Sequence, residues 1–305
     1  MTKKILVGLL LLAVLLAGAG VWLFVKRPLA LLAWTGRQSL TGAGLSRASW
    51  ETPSGRQTGF KGGSGPLLVL LHGAGDQAGT WSRVAPGLLP GRTVVALDLA
   101  GHGGSEPGQG PISVGAILAA AEAVVARESA GKPATLVGNS LGAWVAFLLA
   151  ERRPELVGRI VAIDGGPIRG ANAAAIVLPR DRDEARRSVA QTRDPGSLKV
   201  PDHVLDDIVR QAQSGPLARV AATSGEMERY LLDGRLGSLK AAVSIVWGES
   251  DRLVPVDYAR RMQAGLPGAT LTTLPRCGHV PQVECPAALA GALKGALAGG
   301  AGPSP

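Results

Sequence analysis

Three residues of this chain have the types and the order needed for nucleophilic acyl chemistry: Ser140, Asp251 and His279. A serine hydroxyl attacks poorly until a base takes its proton. Histidine does this near neutral pH, and a carboxylate on the far ring nitrogen fixes the tautomer and supports the imidazolium. Ser140 lies in Gly138-Asn139-Ser140-Leu141-Gly142, between an apolar run at 134–137 and a helical-looking run at 141–151. A G-x-S-x-G pattern at a strand-to-helix switch is a nucleophile elbow, a sharp turn that exposes the serine while glycines let neighbouring backbone pass. In a chain with 43 glycines the spacing alone means little. Its weight comes from Asp251 and His279, each just past the end of an apparent strand. Charge that develops on the attacked group needs donors already in place. The backbone N–H of Leu141, at a helix start, and that of Ala74, after His72-Gly73, are the two expected to form this oxyanion hole.

For residues this far apart to meet, their strands must end on one edge of a parallel sheet. Leu67–Leu71 is a continuous apolar run, as expected for a strand covered on both faces. A segment read as helical at 81–89 leads to the strand Thr93–Leu97 and a glycine-rich turn at 98–105. An alanine-rich helix at 113–127, a strand, elbow and helix across 134–152, and a strand at 159–163 ending at Asp164 continue the alternation. Crossovers of this length predict an α/β fold, a mostly parallel sheet with helices on both faces. From 165 to 237 no strong strand occurs, and 181–191, 202–213 and 227–232 read as small helices. This predicts an inserted helical lid over the carboxyl ends of the strands, where open sheets bind ligands. The sheet resumes at Ala242–Gly248, followed at once by Glu249-Ser250-Asp251-Arg252. A helix at 258–265, a last strand at 269–274, Gly278-His279 and a final helix from Pro286 complete the core. The expected organisation is thus an N-terminal segment 1–27, a linker and irregular first strand 28–60, a core of 61–164 and 238–298, a lid 165–237, and a frayed tail 299–305.

Residues 5–25 form an uncharged apolar run of 21 residues, with Lys3 and Lys4 before it and Lys26 and Arg27 after it. At a rise of about 1.5 Å per residue this spans the hydrocarbon core of a bilayer. A signal peptide is the alternative, with small residues at 17–19. The apolar run continues past them through 21–25, which a cleaved signal does not need, so an uncleaved single-pass transmembrane anchor is expected. Basic residues flank both ends, and the amino-terminal charge tips the balance towards a body on the periplasmic or extracellular side. Trp34, near the membrane end, suits an interfacial belt, and Trp50 suits packing under the core.

A chain of 305 residues buries a sizeable core without metal or disulfide help. The net charge of +9 is scattered, with no basic block interleaved with aromatics and no zinc-finger or helix-turn-helix spacing. Nucleic acid is therefore not an expected partner, and an anionic membrane surface accounts for the charge. Four dispersed histidines form no metal-ligand set. Cys277 and Cys285 admit two readings, a disulfide in an oxidising compartment or two buried thiols.

From about residue 60 to 298 this arrangement resembles the α/β-hydrolase family. His72-Gly73 looks like the family's oxyanion loop, Asp98 to Ser105 like its glycine-rich turn, and Gly138 to Gly142 like its elbow. Gly248-Glu249-Ser250-Asp251 looks like its acid loop, and Gly278-His279-Val280-Pro281 with Glu284 like its histidine loop. Within the family the chain is most similar to capped serine hydrolases: meta-cleavage-product hydrolases, lactone and carboxyl esterases, and cofactor-free haloperoxidases. Serine at 140 separates it from haloalkane dehalogenases and soluble epoxide hydrolases, which use aspartate there. The membrane segment is a departure from the catabolic members. The resemblance implies a serine hydrolase working through an acyl-enzyme, with no cofactor and no metal. Ester or lactone cleavage of a small amphiphilic acyl substrate is the leading expectation. The alternative is carbon–carbon bond hydrolysis of a vinylogous diketone, which needs in addition an arginine or equivalent clamp for the substrate carboxylate. A fold that has lost activity and serves as a binding or scaffold protein is the third.

Other residues carry plainer expectations. Asp164 occupies a position that sometimes supplies the triad acid in the family; with Asp251 present, a structural or pocket-edge role is expected. His72 and His102 should brace loops, and His203 should lie on the lid surface. Asn139 should bond nearby backbone, and Trp144 should pack the core or the pocket floor. Arg252 reads as a solvated neighbour of the acid, or an ion-pair partner across the lid hinge.

Overall fold

Residues of alternating polarity or continuous apolarity become strands when both sheet faces can be covered. In the computed structural model, which describes residues 2–172 and 174–298, eight such segments join one sheet. The chain runs α1 (Thr2–Lys26), α2 (Pro28–Gly42), β1 (Ser46–Thr52), β2 (Gly55–Gly63), β3 (Leu67–Leu71) and β4 (Thr93–Leu97). It continues through α3 (Val114–Glu128), β5 (Ala134–Asn139), α4 (Leu141–Arg152) and β6 (Val157–Ile163). Helices α5 (Arg182–Thr192), α6 (Asp202–Ser214) and α7 (Pro216–Ala221) then intervene before β7 (Ala242–Gly248), α8 (Val256–Ala264), β8 (Thr270–Leu274), α9 (Pro281–Glu284) and α10 (Pro286–Ala298). The strand order is β1-β2-β4-β3-β5-β6-β7-β8. The β1–β2 and β2–β4 pairs are antiparallel and all the others parallel. This is the mostly parallel, doubly covered sheet with a helical insertion that the sequence predicts.

The continuous apolar run of β3 serves both layers. Leu67, Val69 and Leu71 belong to the apolar cluster that α3, α4 and α8 help build, while Leu68 and Leu70 belong to the one that includes Leu40 of α2, Trp81 and α10. Parallel strands β3, β5, β6, β7 and β8 therefore end on one edge, and the loops that follow them build the site.

Three local expectations are corrected. The stretch read as a linker begins with a helix, α2, which has Pro28 in its first turn and buries Leu40 fully against the sheet. Gly36 within it serves close approach: a Cβ there would lie 2.6 Å from the Gly79 carbonyl oxygen. Arg37 of α2 also reaches the fully buried Asp98, with Nη1 at 2.8 Å from Oδ2. The helix expected at 81–89 is two short 3-10 turns, Ala78–Arg83 and Ala85–Leu88; Pro86 removes an N–H and cannot continue a longer helix. The piece at 227–232 is likewise a 3-10 turn, Ser224–Tyr230.

Helix α5 starts where the sequence provides a cap: the Asp181 side chain accepts the Glu184 N–H at 2.8 Å. Ile5–Lys26 is the one span among the described residues long and apolar enough to cross a membrane, and none of it is buried; a signal sequence meets the same test. Trp34 is exposed and Trp50 buried, its Nε1 donating to Glu128 at 2.7 Å. Cys277 and Cys285 form a disulfide, with Cα atoms 5.9 Å apart. The tail at 299–305 lies outside the described residues.

Candidate active site

The turn between β5 and α4 is built by exclusion of side chains. A Cβ at Gly138 would sit 2.3 Å from the Gly142 carbonyl carbon, and one at Gly142 would sit 2.2 Å from the Leu71 carbonyl oxygen. With both positions bare, the chain reverses tightly and Ser140 takes φ 52°, ψ −115°. A non-glycine residue with positive φ costs on the order of 1–3 kcal/mol unless its surroundings hold it. Here the Ser140 N–H donates to the Ile163 carbonyl at 2.9 Å. Gly165 closes the other side, where a Cβ would lie 2.4 Å from Ser140 Cα.

The loops after β5, β7 and β8 bring Ser140, Asp251 and His279 together. His279 Nε2 is 2.9 Å from Ser140 Oγ, and His279 Nδ1 is 2.6 Å from Asp251 Oδ2. With the carboxylate accepting at Nδ1, the proton sits on that nitrogen and Nε2 offers its lone pair to the serine O–H. Asp251 Oδ1 accepts the Leu253 and Val254 N–H groups, each at 2.9 Å. Asp251 and His279 are both buried. Leu141 opens α4, so its N–H has no intrahelical acceptor. Both Leu141 and Ala74 line the same cavity as Ser140 and His279.

Residues around these three fix the loops. Asn139 Nδ2 donates to the His279 carbonyl at 2.9 Å, and Gln282 Nε2 donates to Asn139 Oδ1 at 3.0 Å. Gln282 is fully buried; its signal in the sequence is only a polar residue at the third position after His279. The lid contributes through backbone, which leaves no sequence signal at all. The His279 N–H donates to the Thr192 carbonyl and the Arg252 N–H to the Gln191 carbonyl, each at 2.9 Å. Glu284 Oε2 accepts from Gly278 N–H at 2.6 Å and Oε1 from Asp194 N–H at 2.9 Å, with Ser197 Oγ as a further donor. The Cys277–Cys285 disulfide brackets this loop.

The remaining candidates are braces. His72 Nδ1 donates to the Gly73 carbonyl at 2.7 Å and its Nε2 accepts the Leu99 N–H at 3.0 Å. His102 Nδ1 lies 3.0 Å from the Ala100 carbonyl, and burial, then the neighbouring His72, pushes its ring down to about 3. Trp144 lines the cavity and donates to the Tyr230 carbonyl at 2.8 Å. Arg252 is exposed, with Nη2 3.4 Å from the Arg193 carbonyl. His203 is half-buried and packs against Phe24 of α1, ring centroids 5.1 Å apart.

Above Ser140 lies a cavity of about 880 Å³, roofed by the inserted helices. Trp144, Ile168, Leu217, Val220, Met227, Leu253 and Tyr258 make most of its wall apolar. Polar groups occur along one side of α5, at Glu184, Ser188 and Thr192. The arginine in the lining, Arg180, has an 85% exposed side chain and pairs with Glu184 at 2.5 Å.

A model of the alpha/beta hydrolase family matches residues 68–292. An uncharacterized protein of Mycobacterium tuberculosis is 29% identical over 265 residues, covering 78% of this chain and 77% of the relative. A 2-hydroxy-6-oxononadienedioate/2-hydroxy-6-oxononatrienedioate hydrolase of Cupriavidus pinatubonensis is 28% identical over 277 residues, covering 81% of this chain and 93% of its own. Among solved structures, a membrane phospholipase A described as a bacterial virulence factor is 27% identical. It covers 97% of this chain and 98% of its own, with a TM-score of 0.74. Three further curated relatives are likewise named as hydrolases of 2-hydroxy-6-oxo compounds.

Proposed function

Since the chain belongs to the α/β-hydrolase family and is a serine-hydrolase-type enzyme, we propose that it cleaves carboxylic esters of amphiphilic acyl compounds through Ser140, His279 and Asp251. The observation that carries this reading is the cavity over Ser140: about 880 Å³, walled mainly by apolar side chains, with the arginine of its lining largely exposed to solvent and paired with Glu184. An acyl chain suits such a wall, because every buried methylene contributes about 0.8 kcal/mol. A free carboxylate does not, since a charge moved there needs a partner.

In this mechanism Ser140 Oγ attacks the acyl carbon as its proton passes to His279 Nε2. The backbone N–H groups of Ala74 and Leu141 receive the developing oxyanion. His279 gives the proton to the departing alcohol, then deprotonates a water that opens the acyl-enzyme and frees Ser140. Asp251 keeps the imidazole in the productive tautomer throughout. Helix α1 holds the enzyme at a bilayer in this reading, so that amphiphilic esters reach the cavity from the membrane side. The likeness to a membrane phospholipase A, which extends over 97% of this chain, supports both points.

Carbon–carbon hydrolysis is the second reading, favoured by the names of several curated relatives. It uses the same three residues and needs in addition a clamp for a carboxylate. Intact mass after incubation with a fluorophosphonate tests the shared mechanism: one adduct on the wild type and none on Ser140→Ala is expected. Graded acyl esters and a 2-hydroxy-6-oxodienoate then separate the readings. Faster cleavage of the dienoate than of any ester would overturn the ester reading.

A further inference from the structure

Behind the triad sits a second carboxyl that the reaction as described does not use. Asp164 ends β6, is fully buried, and has φ 46°, a region that favours glycine. Its Oδ1 accepts the Gly248 N–H at 2.7 Å, where β7 passes into the loop that carries Asp251. Its carboxyl also lies within side-chain hydrogen-bonding reach of the Asp251 carboxyl, and Oδ2 is the oxygen that Gly248 leaves free. As two carboxylates these oxygens are acceptors only, and Oδ2 is then a buried atom without a partner. One proton shared by the pair converts that contact into a hydrogen bond.

Which carboxyl holds the proton follows from counting donors. Asp251 receives three N–H groups, from His279 Nδ1, Leu253 and Val254, whereas Asp164 receives one, from Gly248. Donors stabilise the anion, and two like charges in contact do not both ionise. Among the described residues no lysine or arginine pairs with Asp164. The charged groups around it are Asp251, with His279 beyond, and Glu284 of α9, whose nearest cation is Arg193 at 3.6 Å. Burial first, and then the charge of Asp251, raise the Asp164 carboxyl well above the ordinary carboxylate range.

We propose that Asp164 is a positioning residue whose protonated carboxyl donates from Oδ2 to the Asp251 carboxylate, keeping Asp251 ionised and aimed at His279. This rests on the hydrolase reading for its consequence, but the proton itself is a separate observable. The position that supplies the acid in some relatives here supports an acid placed one strand further along the sheet.

The test uses the full chain in detergent and the pH dependence of Ser140 phosphonylation by a fluorophosphonate, which needs no knowledge of the substrate. Asp164→Asn keeps an acceptor for Gly248 and a donor for Asp251. Its labelling rate should stay within about threefold of wild type, with the acid limb of the profile unmoved. An ionised Asp164 predicts the opposite: a neutral amide would remove a negative charge beside the imidazolium and move the acid limb down by about one pH unit. Asp164→Ala, with no donor, should label about ten- to a hundredfold more slowly. The infrared band of a buried protonated carboxyl should be present in the wild type and lost in Asp164→Asn. A shifted limb or an unchanged infrared spectrum in Asp164→Asn, or wild-type labelling by Asp164→Ala, would overturn the proposal. An unlabelled wild type would instead overturn the hydrolase reading and the positioning role with it, while the band would still report the proton.

Discussion

Acid should destabilise this protein through one residue outside the triad, His102. The ring is buried in the turn after β4 and lies 5.1 Å from His72, which stands beside the Gly73-Ala74 loop. Burial in this turn lowers it from 6.5 to about 3. A histidine lowered in the folded state binds fewer protons there than in the unfolded chain. Its contribution to stability is therefore complete above pH 6.5 and lost as the pH falls towards 3. The difference, 6.5 − 3 = 3.5 units, corresponds to about 4–5 kcal/mol over the whole window at about 1.36 kcal/mol per unit. At about pH 4.5, two units below the unfolded value, about 2–3 kcal/mol is lost. His102→Gln cannot titrate, so any packing cost it carries is independent of pH. Urea unfolding of the full chain in detergent, at about pH 7.5 and about pH 4.5, should show the wild type losing about 2–3 kcal/mol more than the variant. An equal loss in both proteins would refute the argument, because it would mean that the ring gains a proton without unfolding.

Two further substitutions probe the scaffold around Ser140. Gln282→Ala leaves Asn139 Oδ1 without its donor and loosens the hold on the His279 carbonyl; fluorophosphonate labelling should slow about tenfold, with a stability loss of about 1–3 kcal/mol seen in urea unfolding. Gly165→Ala puts a methyl 2.4 Å from Ser140 Cα, and the elbow must yield; labelling should fall about a hundredfold or more while circular dichroism stays close to wild type. Unimpaired labelling in either variant would show that the elbow tolerates displacement that the geometry forbids.

Local chemistry makes much of this protein legible in its sequence. A continuous apolar run such as Leu67–Leu71 says that a strand is covered twice, and a glycine on either side of a serine at a strand end says that the turn is sharp. Both are statements about a few neighbouring residues, and period and steric exclusion act at that range. The order Ser140, Asp251, His279 was readable for a related reason: in a parallel sheet, strand ends of one polarity share an edge wherever they fall in the chain. Local reading failed where a residue's role is set by what arrives from elsewhere. Gly36 looks like flexibility and is in fact the point where α2 meets the Gly79 carbonyl. The Thr192 and Gln191 carbonyls that hold His279 and Arg252 belong to every residue type alike, so no pattern marks them. Two aspartates past strand ends, Asp164 and Asp251, both fall between Ser140 and His279 in the chain, and the sequence assigns the acid to Asp251 without showing what Asp164 does. Only the folded arrangement gives one of them three N–H donors and the other a single one, because desolvation and donor count depend on which backbone is packed against each carboxyl.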